Sequence, residues 1–347
     1  MGSSQQRQLY RREVDDVLAN INQLAADTGF SGAVRVEAPG SHSWAAAYGL
    51  AHRGHLFANT ITTQFGVASI GKGFTALAVA SLIEDGVLTF HTTARSLLGS
   101  DLPLIDDRVT IVDLLGHRSG IGDYLDEDAG GDILDYAMTL PVHQLDDAES
   151  YLPMLGGLPQ KFDPDTDFSY CNGGFVVLAL LAERASTVSF FDLVRQRVCE
   201  PAGLTHTAFL RNDELGGEVA VGYLGEDGLR TNVLHLPVRG SGDGGIYSTL
   251  ADIHTLWTAL FEGRIVTPAM VAKLTTPRST NCRHTRDYGL GFWLARDTGA
   301  MMLQGYDAGV SACTVHLPGQ QVTHTVLSNT ADGAWPITTR LIELLAT

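Results

Sequence analysis

The sequence lacks the features that mark membrane, metal-binding and nucleic-acid-binding proteins. It has no run of about eighteen apolar residues, so we expect no membrane span. Its four cysteines lie far apart without a C-x-x-C pair, and we expect free thiols rather than disulfides or a zinc site. Lysine is scarce, with 3 against 20 arginines, and the formal net charge of −16 argues against nucleic acid and anionic membranes as partners.

Length and composition are those of an ordinary folded protein. The chain has 347 residues, of which 44% are apolar and 18% are charged, which suits one large domain or two smaller ones. The N-terminal stretch MGSSQQRQLYRREVDD lacks the apolar core of a signal peptide. These absences together predict a cytoplasmic protein.

Both ends of the chain carry strand patterns beside helical ones. Apolar residues spaced by three and four predict an amphipathic helix over residues 5–27. The runs SGAVRVEAPG and HSWAAAYGLAHR follow, and Pro39-Gly40 between them predicts a hairpin. From residue 288, YGLGFWLARD, MMLQGYDAGVSACTVHLPG and QQVTHTVLSNT predict three further strand regions, and residues 335–346 predict a closing helix.

The middle of the chain is dominated by helical patterns and loops, including an acidic stretch over 123–131 that we interpret as a surface loop. We therefore predict an α/β (α+β) fold in which both ends build one antiparallel sheet flanked by the terminal helices. In this prediction residues 1–66 and 245–347 form the sheet domain, and residues 67–244 form an inserted helical domain. The active-site cleft lies between them.

A serine and a lysine lie three residues apart at the start of a predicted helix. In FGVASIGKGFTALAV, Lys72 follows Ser69 by one turn on the same face, so its amine can reach the serine hydroxyl. An amine kept neutral by burial can take the hydroxyl proton, which makes Ser69 a candidate nucleophile and Lys72 part of its base. The alternative is a surface helix that Ser69 caps and on which Lys72 is solvated.

A tyrosine and an asparagine precede the most apolar helical stretch of the chain. Tyr170, if it faces the lysine and the serine, is a candidate general base, because a nearby ammonium favours the phenolate. Asn172 is a candidate for holding a substrate carbonyl or Lys72. The alternative is a buried tyrosine next to an asparagine that caps the helix.

The run Leu303-Gln304-Gly305-Tyr306 falls in the strand that we place second from the end. A strand edge beside a cleft can offer a backbone N–H to an oxyanion. Asp307 comes next and is a candidate for binding a substrate amine, the alternative being an ordinary turn aspartate.

Other patterns do not indicate a metal ion or a cofactor. DPDTDF resembles the start of a calcium loop, but its sixth and twelfth positions are not ligands. The glycine-rich stretch 240–245 does not open a helix after a strand, as a phosphate loop does. The histidines lack ligand spacing. We therefore expect neither a metal nor a cofactor.

Taken in order and at their spacing, these segments resemble the serine β-lactamase/DD-peptidase superfamily, in the branch that holds class C β-lactamases, D-aminopeptidases, esterases and transacylases. FGVASIGKGFTALAVASLIEDGVL is similar to its S-x-x-K helix and VTIVDLLGHRSGI to its LL-x-H-x-SG stretch. FDPDTDFSYCNGGFVVLALLAERAS is similar to its tyrosine-asparagine segment, with Asp165 where glycine is usual. EPAGLTHTAF, GDGGIYSTLADI and YGLGFW match as well.

The resemblance implies a role for each candidate. Ser69 is acylated, and Lys72 and Tyr170 share the proton transfers. Asn172 orients the substrate, and the backbone N–H groups of Ser69 and Tyr306 form the oxyanion hole.

The third motif of the superfamily departs from the pattern in this chain. Its first position, usually lysine or histidine, is Leu303, and Gln304 and Gly305 follow. The cation that would meet a substrate carboxylate is therefore absent from this strand. His117, in the HRSG turn, is expected to have a structural role.

We predict a β-lactamase-like serine hydrolase that works through an acyl-enzyme on a small ester or amide, not on a classical β-lactam. One alternative is a transacylase of secondary metabolism that uses the same acyl-serine. The other is a non-catalytic binding or sensor domain, which the altered third motif favours. The expected partner is a small-molecule substrate.

Overall fold

A computed structural model describes residues 17–38, 43–283 and 286–345. The strands are β1 (Gly32–Glu37), β2 (Trp44–Tyr48), β3 (Leu50–His52), β4 (Phe57–Ala58), β5 (Phe65–Gly66), β6 (Tyr247–Ser248), β7 (Ser279–Arg283), β8 (Arg286–Tyr288), β9 (Trp293–Ala295), β10 (Met301–Asp307), β11 (Val310–Leu317) and β12 (Val322–Ser328). Eight of them form one antiparallel sheet in the order β2-β1-β12-β11-β10-β9-β8-β7.

The helices lie at the two chain ends and in the middle. They are α1 (17–28), α2 (Gly71–Glu84), α3 (Ala94–Leu98), α4 (Ile111–Leu115), α5 (Leu152–Leu155), α6 (Asn172–Ser186), α7 (Phe190–Val194), α8 (Glu200–Ala202), α9 (Leu250–Phe261), α10 (Pro268–Leu274) and α11 (Ala334–Leu345). A single 3₁₀ turn, Ala68–Ile70, leads into α2.

The two ends of the chain pair near one edge of the sheet. β1 pairs with its hairpin partner β2 and also with β12, and Val34 lies opposite both Ala46 and Val326. This pairing confirms the predicted antiparallel sheet built from both ends. The division into domains 1–66 with 245–347 and 67–244 stays a prediction.

Two apolar clusters cover the two faces of the sheet. On one face, Ile21 of α1 and Ile337 of α11 pack against sheet residues such as Val326. On the other face, α2, α6 and α9 form the larger cluster with Leu303 and Leu327. Alternation of inward side chains along each strand explains how neighbouring residues serve both faces.

The structure corrects one boundary of the sequence analysis. The run MMLQGYDAGVSACTVHLPG, predicted as one strand region, is the hairpin of β10 and β11, which turns at Ala308 and Gly309. The Leu303–Tyr306 run therefore lies in the third strand from the end, not the second. Residues 5–16 of the predicted first helix, and Pro39-Gly40, lie outside the described residues.

No single helix among the described residues is long and apolar enough to cross a membrane. One bent pair, Asn172–Ser186 with Phe190–Ala202, passes the same test of length and composition, with an angle of 85° between its halves.

Candidate active site

The helix that carries Lys72 is central rather than superficial. Every residue of α2 from Gly71 to Leu82 is buried, and the Lys72 side chain is only 2% exposed. Ser69 lies in the 3₁₀ turn before α2, and no side chain caps the helix. The alternative of a capped surface helix with a solvated lysine is therefore wrong.

Three hydrogen bonds hold the Lys72 amine. Its Nζ lies 2.9 Å from Ser69 Oγ, 2.7 Å from Asn172 Oδ1 and 2.7 Å from the backbone oxygen of Asp243. The latter two oxygens can only accept hydrogen bonds. A neutral amine therefore gives both of its N–H groups to them, and its lone pair faces the Ser69 hydroxyl.

Burial favours this neutral form of the amine. Desolvation lowers the pKa of Lys72, and the negative charges of Asp243, Glu127 and Asp123 oppose that shift. The balance is a lowered pKa, because removing an ammonium from water costs more than these partly screened charges return. A lysine in this state can take a proton from a neighbouring hydroxyl.

Asn172 is fixed by a group that the sequence analysis placed in a surface loop. The carboxylate of Asp123 accepts the backbone N–H groups of Asn172 (2.6 Å) and Gly173 (2.8 Å) at the start of α6. The Asn172 side chain donates to Leu125 O at 2.9 Å, so its Oδ1 points at Lys72. Asp123 is buried, and the acidic stretch 123–131 is a wall of the site rather than a simple surface loop.

Tyr170 lies beside the lysine, as the sequence predicts. The Lys72 Nζ is 4.9 Å from the centre of its ring, and Tyr170 and Ser69 line the same small cavity of about 290 Å³. The ring stacks on Trp293 at a centroid distance of 5.9 Å and is buried. Both Tyr170 and Ser69 therefore face a space that a substrate can enter.

His117 braces the segment that carries Tyr170. Its Nδ1 accepts the backbone N–H of Cys171 at 3.0 Å, and its ring lies 4.3 Å from the Tyr170 ring and 4.7 Å from the Tyr288 ring. The residue is 1% exposed and has a φ of +55°. These contacts agree with the expected structural role, which His117 fulfils by accepting a backbone N–H and by packing against aromatic rings.

The glycine-rich stretch 240–245, to which the sequence analysis gave no function, packs on the Ser69 turn. A Cβ on Gly244 would lie 2.9 Å from the backbone of Ala68, and one on Gly242 would lie 2.1 Å from Phe175 O. Glycine is therefore required for this close approach, which brings the Asp243 carbonyl to Lys72.

β10 passes equally close to the nucleophile. A Cβ on Gly305 would lie 2.1 Å from Val67 O and 3.0 Å from Ser69 N. Leu303 is 3% exposed and packs against Gly73, so this position carries no cation toward the site. Tyr306 follows, with 44% of its surface exposed.

A cation nevertheless reaches the site from another strand. Arg286 on β8 donates to Gln304 Oε1 at 2.5 Å, and both line the small cavity with Ser69 and Tyr170. The third motif carries no cation, and Arg286 is not among the site residues predicted from the sequence. The predicted strand pattern begins at residue 288, two residues after Arg286, and it does not show that β8 lies two strands from β10.

A second, larger cavity of about 750 Å³ also has Ser69 in its lining. Asn172, Tyr306 and Asp307 line it. Burial and the charge of Asp243 raise the pKa of Asp307 to about 7, while the N–H of Ala308 opposes the shift. Together the two cavities contain all the predicted site residues: Ser69, Tyr170, Asn172, Gln304, Gly305, Tyr306 and Asp307, with Lys72 beneath them.

Asp165 occupies a position where the superfamily usually has glycine, and the structure gives the reason for that preference. Its φ is +65°, in the left-handed region. Its carboxylate accepts hydrogen bonds from Arg118 at 2.6 Å and Arg278 at 2.7 Å. These two contacts compensate for the strained backbone next to the Tyr170 segment.

Comparison with known proteins agrees with this geometry. The family model described as Beta-lactamase matches residues 17–347. A crystal structure of a penicillin binding protein from Bacillus halodurans superposes with a TM-score of 0.87 and 32% identity, covering 93% of this chain and 99% of that one.

Two curated relatives are similar over much of this chain. A penicillin-binding protein of Bacillus subtilis (strain 168) is 29% identical over 246 residues, which is 66% of this chain and 52% of that protein. A D-aminopeptidase of Brucella anthropi is 24% identical over 291 residues, which is 82% of this chain and 53% of that protein. The chain thus spans about half the length of these relatives.

Proposed function

Because the chain belongs to the beta-lactamase family, we propose that it is a serine hydrolase that cleaves a small ester or amide through an acyl-enzyme on Ser69. The observation that carries this proposal is the buried amine of Lys72, 2.9 Å from Ser69 Oγ, with its other hydrogen bonds made to oxygens that cannot donate. This arrangement suits a lysine that takes a proton from the serine.

The reaction follows from these contacts. Lys72 takes the hydroxyl proton as Ser69 Oγ attacks the substrate carbonyl, and the backbone N–H groups of Ser69 and Tyr306 bind the oxyanion. Lys72, assisted by Tyr170, returns the proton to the leaving alcohol or amine when the acyl–oxygen or acyl–nitrogen bond breaks. A water molecule then attacks the acyl-serine, and the acid and Ser69 are released.

A substrate panel tests the proposal. We expect p-nitrophenyl esters or amino acid p-nitroanilides to be hydrolysed by the wild type and not by Ser69→Ala, with little turnover of the β-lactam nitrocefin. If Ser69→Ala retains the wild-type rate, the nucleophile is assigned wrongly. If added amines or alcohols speed the reaction and are themselves acylated, acyl transfer describes the enzyme better than hydrolysis. If no compound reacts with the wild type, the result favours the alternative of a non-catalytic binding domain.

A further inference from the structure

The larger cavity beside Ser69 has walls of one charge. Seven carboxylate residues line it, and no lysine, arginine or histidine does so among the described residues. The seven are Asp123, Asp126, Glu127, Asp132, Asp135, Asp243 and Asp307. Lys161 pairs with Asp126 at 2.8 Å, and the Lys72 amine, hydrogen-bonded to Ser69 Oγ, does not belong to this lining.

Two of these carboxylates lie near the nucleophile and repel each other. Asp243 is adjacent to the Ser69 turn, and Asp307 is two residues after Gly305, which packs on Ser69 N. Burial raises the pKa of Asp307, and the like charge of Asp243 adds to that shift. Burial, reinforced by the charges of Asp123, Asp243 and Asp307, raises the pKa of the Tyr136 hydroxyl to about 12.

The remaining lining suits a short hydrocarbon chain. Met138, Leu210 and Val238 contribute apolar surface, and Tyr151 and Tyr247 contribute aromatic rings. A cavity with apolar walls and convergent acceptors binds a ligand that has an apolar body and a donor group of positive charge.

We propose that this cavity binds an acyl group that carries an ammonium, so that the substrates are esters or amides of amino acids or of short ω-amino acids. Asp307 and Asp243 hold the ammonium, and the acyl carbonyl lies at Ser69. This inference rests on the proposed function, since it assigns the acyl side of the same site. In this assignment the leaving group occupies the small cavity, which Ser69 and Arg286 line.

Three esters that differ only at the end of the acyl chain test the charge preference. The p-nitrophenyl esters of 6-aminohexanoic acid, of heptanoic acid and of pimelic acid (the monoester) end in an ammonium, a methyl group and a carboxylate. We expect kcat/KM to be at least about 10-fold higher for the ammonium ester than for the methyl ester, and this ratio to fall with added salt. Equal values for these two esters, or a preference for the carboxylate ester, would overturn the proposal.

A matched pair of variants assigns the preference to Asp307. In Asp307→Asn we expect the ammonium-to-methyl ratio to fall by about 10-fold or more. Asp297→Asn is the control, because Asp297 also accepts the N–H of the next residue but is exposed and lies outside both cavities. It should leave the ratio unchanged. If Asp307→Asn does not fold, Asp135→Asn, at the exposed mouth of the larger cavity, should lower the ammonium-to-methyl ratio by a smaller factor. A wild-type ratio in whichever of these two variants folds contradicts the assignment.

A binding measurement separates failure of this inference from failure of the proposed function. Calorimetry with 6-aminohexanamide and heptanamide needs no turnover. Tighter binding of the amine supports the ammonium site even if Ser69 is not a nucleophile. Equal binding overturns the ammonium site even if Ser69-dependent hydrolysis is found.

The pH dependence gives an independent readout. The titratable groups whose charges act on Asp307 are Asp243, Lys72 and Glu127. Because the pKa of Asp307 is raised to about 7, its carboxylate gains charge between pH 6 and 8, and the ammonium-to-methyl ratio should rise over that interval. A flat ratio in the wild type, or the same rise in Asp307→Asn, contradicts the role of Asp307.

Discussion

Gly305 is the position where fold and chemistry are most tightly linked. An alanine Cβ there would lie 2.1 Å from Val67 O and 3.0 Å from Ser69 N. Ordinary contact of a carbon atom with such an oxygen is more than 3 Å, so β10 and the Ser69 turn must separate by about 1 Å. The backbone N–H groups of Ser69 and Tyr306, proposed to bind the oxyanion, would separate with them.

A misplacement of about 1 Å at a reacting centre costs on the order of 10²-fold in rate. We therefore expect Gly305→Ala to lower kcat by about 10²-fold with little change in KM, because the oxyanion contact is made in the transition state. Overpacking should also cost about 1–3 kcal/mol of unfolding free energy. Steady-state kinetics with a p-nitrophenyl ester and a thermal melt measure the two effects.

Gly319→Ala is the matched control, because no atom lies within 4 Å of a Cβ at that position, which follows β11 of the same sheet. It should keep wild-type kinetics and stability. A Gly305→Ala enzyme with kcat close to that of Gly319→Ala would refute the placement of the oxyanion hole between Ser69 and β10.

Three further predictions concern the buried frame. Burial lowers the pKa of His324 from 6.5 to about 4, so the fold, which holds the neutral ring, should lose about 3 kcal/mol of unfolding free energy as pH falls from 6.5 to 4. Urea unfolding should show that the unfolding free energy of His324→Leu depends less on pH than that of the wild type. An unchanged pH dependence in the variant would contradict this. Tyr170→Phe should lower kcat by about 10²-fold in ester hydrolysis, and a near-normal value would mean that Lys72 works alone. Asp165→Ala should be about 1 kcal/mol less stable than Asp165→Gly in thermal or urea unfolding. Both variants lose the contacts to Arg118 and Arg278, but only glycine adopts φ +65° without strain. Equal stabilities would exclude backbone strain as the reason that the superfamily usually has glycine at this position.

Local spacing predicted a contact between Ser69 and Lys72, with a capped surface helix as the alternative. Ser69 and Lys72 are one helical turn apart, so their contact follows from helix geometry once the turn before α2 is formed. Tyr170 and Asn172 come from a segment about 100 residues away, and the resemblance to a known superfamily supplied their proximity. Asn172 does contact Lys72, at 2.7 Å.

The groups that the sequence did not reveal act through backbone atoms or through distant strands. The Asp243 carbonyl reaches Lys72 because Gly242 and Gly244 permit a close approach, and no side-chain pattern marks a carbonyl. Asp123 looked like part of an acidic surface loop, and only its position at the start of α6 makes it a cap. Arg286 depends on strand order, which the sequence did not specify.

The central claim is that Ser69 is the nucleophile and that buried Lys72 activates it. Intact-mass spectrometry after exposure to a fluorophosphonate probe, followed by peptide mapping, tests both parts. The account predicts one adduct on the Ser69 peptide of the wild type, none on Ser69→Ala, and labelling slowed by about 10²-fold or more in Lys72→Ala. An adduct of the same mass on Ser69→Ala, or wild-type labelling of Lys72→Ala, would contradict the account.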